Sequence, residues 1–413
     1  MPGLSADLRR YAARGANYVE RNARNAHRRL AGGQGAVVDP AAERAEVLVY
    51  FPEQLQRVYQ LDQWLPVMES VAAARPTACV VRSPLVHQRL RATTALPLAL
   101  LPSYEDLMAF YERGDAKIVV YVNHGQLNFQ SLTHRTALHV HVNHGESDKR
   151  SSYSNQAKAY DRVFVAGEVA ARRYLDNVLE FDERRLVPVG RPPLDFLPAP
   201  ILPASGRRTV MYAPTWEGES IDNDWNSVRT LGVPIVEQLL GLDGVRVVYK
   251  PHPRITTTED RTVAAAHAGI LRLLATAAPD AGHAALVAGD ALAAFGSVDA
   301  LVTDLSAVGL DYLFVRPEGP IVLTDVRGDR DALERATPLA TGTDVVGAGT
   351  VGGLRALVAS RLVDDARRAD RLAVRGRYFG DLAPNGESTA RFLAEVEGLC
   401  RVRDELVAAA VRA

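Results

Sequence analysis

Short apolar runs alternating with helix-compatible stretches occur in two series along this chain, and a proline-rich segment separates them. The first series comprises Val47–Phe51, Cys79–Arg82, Pro97–Leu101, Lys117–Val122, Leu138–Val142, Arg162–Ala166 and Leu186–Val189. The second comprises Thr209–Tyr212, Val245–Tyr249, Ala300–Val302 and Pro320–Leu323. Strands alternating with helices predict parallel, doubly wound sheets, because each crossover must bury an apolar helix face on the sheet. Between the series, Pro192 to Pro203 holds five prolines and is the expected interdomain hinge. The tail, Thr389 to Val411, spaces Phe392, Leu393, Val396, Leu399, Val402, Leu406 and Val407 as one face of a helix.

At 413 residues the chain exceeds what one ordinary core organises, so two domains are expected. The predicted plan is a basic segment and linker over 1–40, Rossmann-like domains over 41–198 and 199–380, and a terminal helix over 381–413. This is an α/β chain of the GT-B type, with its active site in the cleft between domains.

Composition narrows the function. Net charge is −1, which argues against a nucleic-acid partner. Cys79 and Cys400 form neither a disulfide framework nor a metal-ligand spacing, which predicts a reducing cytoplasm. No apolar run reaches the roughly 20 residues that span a bilayer. Residues 1–32 carry Arg9, Arg10, Arg14, Arg21, Arg24, Arg28 and Arg29 against Asp7 and Glu20. Such a segment either rests on an anionic membrane surface, at about 1 kcal/mol per basic residue, or packs as a solvated leader.

Polar groups collect where strands end, the place where open α/β sheets bind ligands. Lys250-Pro251-His252-Pro253 follows one strand and Thr303-Asp304-Leu305-Ser306-Ala307 another. The second opens an apolar, helix-compatible segment whose first amides suit a phosphate. His252 between two prolines has a restricted backbone and a fixed ring direction, and Arg254 adds positive charge beside it. In the first series, Asn123-His124-Gly125 and Asn143-His144-Gly145 end adjacent strands. His144, followed by Lys149, Arg150, Ser151 and Ser152, is the candidate base for a hydroxyl proton. The same pattern also fits a capped loop whose histidine only bonds backbone. His139, His141 and His144 lack a further ligand at metal spacing, and Asp222-Asn223-Asp224 reads as a solvated loop. A P-loop is missing, and neither cofactor nor metal is expected.

Together these residues resemble the CDP-glycerol glycerophosphotransferase family, the teichoic-acid polymerases and primases. The marks, in order, are His144-Gly145 with Lys149, Gly190-Arg191-Pro192 with Asp195, and Tyr212-Ala213-Pro214-Thr215-Trp216. Lys250-Pro251-His252-Pro253, Thr303-Asp304-Leu305-Ser306 with Asp311, and Asn385-Gly386-Glu387-Ser388 follow. The resemblance implies transfer of a polyol phosphate from a CDP-linked donor to a polyol-phosphate or glycolipid acceptor, with CMP leaving. It makes 41–198 the acceptor domain and 199–380 the donor domain. It implies His144 as base and His252 as diphosphate ligand. Donor contacts would come from Tyr212, Pro214, Thr215, Lys250, Arg254, Thr303, Asp304, Ser306, Ala307 and Asp311. Acceptor contacts would come from His124, Gly145, Lys149 and Arg150. The work would be done in the cytoplasm, peripherally on the inner membrane face, for a cell-surface polymer or glycolipid.

The chain departs from the family pattern in two places. Glu146-Ser147-Asp148-Lys149 stands where Thr-Pro-Leu-Lys is usual, and Leu305 and Ala307 stand where Tyr and Ser are common. Two added acids predict a loop that repels a strongly anionic acceptor. Two other readings remain open: a GT-B glycosyltransferase using a nucleotide sugar, and a non-catalytic nucleotide-binding scaffold at the membrane surface.

Overall fold

The structure is a computed structural model that describes residues 35–218 and 220–412. The basic 1–32 segment lies outside the described residues. Strands β1 (Val37–Val38), β2 (Val47–Phe51), β3 (Thr77–Val81), β4 (Leu98–Leu100), β5 (Ile118–Tyr121), β6 (Leu138–His141), β7 (Arg162–Val165) and β8 (Leu186–Pro188) form one sheet. Its order is β1-β4-β3-β2-β5-β6-β7-β8, parallel throughout except for β1. Strands β9 (Arg208–Ala213), β10 (Val245–Tyr249), β11 (Ala284–Ala285), β12 (Ala300–Thr303), β13 (Ile321–Asp325) and β14 (Asp344–Gly347) form the second. Its order is β11-β10-β9-β12-β13-β14, all parallel.

β2, β3, β5 and β10 are buried along their whole length, as expected for parallel strands with helices on both faces. The sequence analysis missed β1, β11 and β14. β1 and β11 are two-residue edge strands without an apolar run, and β14 carries Asp344 and two residues only half-buried. In each sheet the strand order reverses at one place, between β2 and β5 and between β9 and β12. Loops diverge at such a reversal and leave a crevice at the strands' carboxyl ends.

Two helices tie the lobes together. Helix Glu387–Arg412 leaves the second lobe and packs on the first, where Phe392 meets Trp64 at 5.4 Å and Phe164 at 5.5 Å. Polar contacts run along the same helix: Arg75 grips Glu397, and Lys117 bonds Asp404 at 2.7 Å. The first part of the proline-rich segment, Pro192–Asp195, is a buried turn. Asp195 there accepts from Gly386 N, Thr389 N and Thr389 Oγ1.

Helix Arg368–Phe379 supplies the second tie, and its Tyr378 carbonyl lies 2.1 Å from where a Cβ on Gly167 would sit. Backbone meets backbone there, so no side-chain rotation relieves a clash. Gly167→Ala is expected to destabilise the protein by about 1–3 kcal/mol, read as a lowered urea midpoint with unchanged slope.

Candidate active site between the sheets

Both sheets present their reversal points to a shared cleft. From the first lobe comes the loop after β6. Asn143 adopts a left-handed conformation (φ 56°), its side chain accepts from His144 N at 2.9 Å, and its carbonyl accepts from Trp64 Nε1 at 2.7 Å. The two Asn143 contacts close the bend, while the His144 ring itself hydrogen-bonds the Val122 backbone at the end of β5; its Nδ1 is shielded and has no partner among the described residues. From the second lobe comes the turn after β10. His252 Nδ1 accepts from Arg254 N at 3.2 Å, which leaves the neutral ring's proton on Nε2.

The two imidazoles meet at Tyr59. Its ring lies edge-on to His144 at 6.2 Å and to His252 at 6.4 Å. Trp216 flanks His252 at 6.1 Å and carries the Arg254 guanidinium over its face at 3.8 Å. Burial lowers His144 to about 4 and His252 to about 3, so both rings are neutral at pH 7.

Beneath these rings lie two buried cations. Lys149 Nζ crosses between lobes to bond Thr215 Oγ1 at 2.7 Å, and Lys250 Nζ reaches the Pro251 carbonyl at 3.3 Å. Neither forms an ion pair with a carboxylate among the described residues, although both are over nine-tenths buried. Burial pushes Lys149 down to about 8, against the attraction of Asp304 and Asp224. Helix Ala307–Val315 opens at the same place. Its N-cap Ser306 makes no side-chain cap bond, and Gly145 approaches Ala307 so closely that a Cβ would stand 3.2 Å from the alanine's.

Several expected donor contacts work from behind. Tyr212 lies in the core, its hydroxyl 2.6 Å from Ser227 Oγ, because alternation along β9 turns it away from the cleft. Thr303 Oγ1 donates to the Ala213 carbonyl at 2.7 Å. Asp304 is fully buried and accepts from Thr215 N, Ser227 N and Thr324 Oγ1. Its carboxylate is already occupied, so it shapes the Thr215 loop instead of meeting a ligand. Pro214 accepts from His252 N at 3.3 Å. Asp311 pairs with Arg191 at 2.9 Å, joining the helix to the interlobe turn. Arg150 sits exposed at the rim and pairs with Asp222, so the Asp222–Asp224 stretch is a bridged loop.

The acid of the 146–149 loop is also turned inward. Arg173 binds Glu146 and Asp148, each at 2.5 Å, and Asp148 further accepts from Thr337 Oγ1 and the Tyr378 hydroxyl. The expected repulsion of an anionic acceptor is therefore corrected: both carboxylates are consumed in an interlobe strut, and Lys149 is left facing the cleft. His139 is satisfied by the Tyr121 hydroxyl and the His134 carbonyl, and no group among the described residues could hold a metal. The residues missed in the sequence are Tyr59 and Arg173; Arg191 stood in the Gly190-Arg191-Pro192 mark without a role. Tyr59 stood in a helix-patterned stretch, and its position after the reversal strand β2 was the available signal.

A sequence profile of the CDP-glycerol:poly(glycerophosphate) glycerophosphotransferase family matches residues 103–323, more than half of the chain. The chain belongs to this family. As a glycerophosphotransferase-family member it is a transferase by kind, with a GT-B fold. Similar solved structures include the wall teichoic acid polymerase TagF, at 14% identity and TM-score 0.55 over 98% of this chain and 100% of that one. A TagF variant soaked with CDPG matches at 12% identity and TM-score 0.55 over the same shares. A UDP-GlcNAc 2-epimerase from Neisseria meningitidis, bound to UDP-GlcNAc, matches at 10% identity and TM-score 0.53 over 85% and 99%. At such identities the likeness is one of fold. No curated protein sequence matches the chain. Among the described residues no helix is long and apolar enough to cross a membrane.

Proposed function

We propose that this protein transfers a polyol phosphate, glycerol or ribitol phosphate, from a CDP-linked donor to an acceptor hydroxyl and releases CMP. The observation that carries this reading is the pairing of two neutral imidazoles across Tyr59 above two buried lysines without carboxylate partners. A buried ammonium is costly unless an anion joins it, and a diphosphate at the Ala307 helix start supplies that anion. Membership in the family supports a CDP-activated donor.

The acceptor oxygen attacks the phosphorus that carries the polyol, in line with the bridging oxygen. A new P–O bond forms, the bond to the bridging oxygen breaks, and the electron pair leaves on CMP. His144, neutral and across the cleft, takes the hydroxyl proton. His252 Nε2–H, Lys149, Lys250 and the first amides of the Ala307–Val315 helix meet the charge gathering on CMP. A panel of CDP-, UDP- and GDP-linked donors, assayed for the released nucleotide, tests the assignment. CMP from CDP-glycerol or CDP-ribitol is expected, and UDP or GDP release would shift the protein to nucleotide-sugar chemistry.

The pH profile follows from the same groups. Free-enzyme ionisations govern kcat/KM, so the profile is expected to stay level from about pH 5 to pH 7. It then falls as Lys149, lowered to about 8, loses its charge. Lys149→Arg holds the charge to higher pH and is expected to remove the alkaline fall. A fall that persists unchanged in that variant would exclude Lys149 as its source.

A further inference from the structure

The second sheet carries another opening, at the carboxyl ends of β13 and β14, beyond the β12 end that leads into the Ala307–Val315 helix. It is an open pocket of about 470 Å³, within the range of small-molecule sites. Asp325, the last residue of β13, lines it and is only 8% exposed. Its Oδ1 accepts from Arg327 N at 3.1 Å and from Gly328 N at 2.9 Å. Its Oδ2 has no partner among the described residues, yet it is not shielded from the pocket. The turn that presents the carboxylate is therefore fixed, and one oxygen is left over. A nearly buried acceptor without a donor is costly, so the pocket favours a ligand that supplies one.

Charge on the walls selects the kind of donor. An anion would face the free Asp325 oxygen, and the two guanidiniums that border the pocket are already engaged. Arg327 lies over the Trp225 ring at 3.8 Å and gives its Nη2 to the carbonyls of Ile221, Asp222 and Asp224. Arg330 bonds Glu334 and the Ala340 carbonyl, each at 2.6 Å. A cation would be repelled by those same two arginines. Neutral hydroxyls meet neither objection. The rest of the lining suits a ring that bears them: Thr230 adds a hydroxyl, and Leu231, Val326 and Val345 add apolar surface for its C–H face. Gly328 and Gly349 keep the space open, since a Cβ on either would meet nothing within 4 Å.

We propose that this pocket is a saccharide-binding site, separate from the donor cleft, in which ring hydroxyls donate to Asp325 Oδ2. Its position ties it to the cleft rim. The carbonyls that Arg327 holds belong to the 221–224 loop, and Asp222 of that loop pairs with Arg150 of the first lobe at 2.8 Å. A bound sugar thus stands one arginine away from a contact between the lobes.

Threonine methyl ¹H–¹³C correlations in the full chain test the site without any turnover, with Thr230 and Thr350 reporting the pocket and Thr215 the donor cleft. Maltose is the neutral probe, ethylammonium the cationic one, and CMP marks the donor site. Maltose is expected to move Thr230 and Thr350 saturably and to leave Thr215 in place, and CMP to do the reverse. Asp325→Asn keeps an oxygen for the Arg327 and Gly328 amides and turns an NH₂ toward the pocket. It is therefore expected to fold and to weaken maltose about tenfold. Gly349→Leu, at an exposed position with open space around it, is expected to weaken maltose at least as much. The site is overturned by no saturable maltose response at Thr230 and Thr350, or by wild-type maltose affinity in both variants. A stronger response there to ethylammonium or to CMP would overturn the saccharide assignment.

Discussion

His144→Ala is expected to lower CMP release from a CDP-polyol by about 10²–10⁴-fold while leaving the fold and donor affinity in place. The size is that of losing the proposed base, whose neutral form already dominates at pH 7. Preservation of the fold follows from the loop's construction. Asn143 closes the bend through its own side chain and Trp64 pins its carbonyl, so the turn keeps its own bonds when the imidazole's single backbone bond, to Val122, is lost. His252→Ala provides the contrast. Removing that ring deletes the proposed donor to the diphosphate, so donor KM is expected to rise together with the fall in kcat. Donor binding is measured separately by titration with CMP. Wild-type turnover in His144→Ala, with binding intact, would remove the base from the mechanism.

Arg173→Met is expected to cost about 3–5 kcal/mol of stability, because it strands two buried carboxylates, Glu146 and Asp148, without their cation. The damage spreads beyond one lobe. Asp148 also bonds Thr337 and Tyr378, so the strut joins the β6 loop to the second lobe. Urea unfolding measures the loss. Adding Glu146→Gln and Asp148→Asn to Arg173→Met is expected to recover part of it, since no uncompensated charge then remains buried. A variant as stable as wild type without that rescue would mean the two carboxylates reach solvent.

The correction at Glu146 and Asp148 shows where sequence reading stops. Acid in a loop after a strand end reads as surface charge, and its partner Arg173 lies in a different helix with no pattern linking the two. Tyr59 is a similar case. An aromatic in a helix-patterned stretch reads as core, and only the approach of the second lobe places it between two histidines. Asp304 and Tyr212 went the other way: residues within recognisable motifs proved to hold the motif's shape from beneath.

Local pattern alone determined much of this protein. Apolar runs the length of buried strands, broken by helical spacing and a proline-rich divide, specified two wound sheets and a closing helix. Strand ends also marked His124, His144, Lys250 and His252, because parallel sheets bring all their carboxyl ends to one edge. Which of those groups stand together and which are bound up with one another was decided only in three dimensions. Charge and hydrogen-bond satisfaction depend on distance through space. Lys149 meeting Thr215, Arg173 absorbing two acids and Tyr59 bridging two rings are all contacts between segments that the chain keeps far apart.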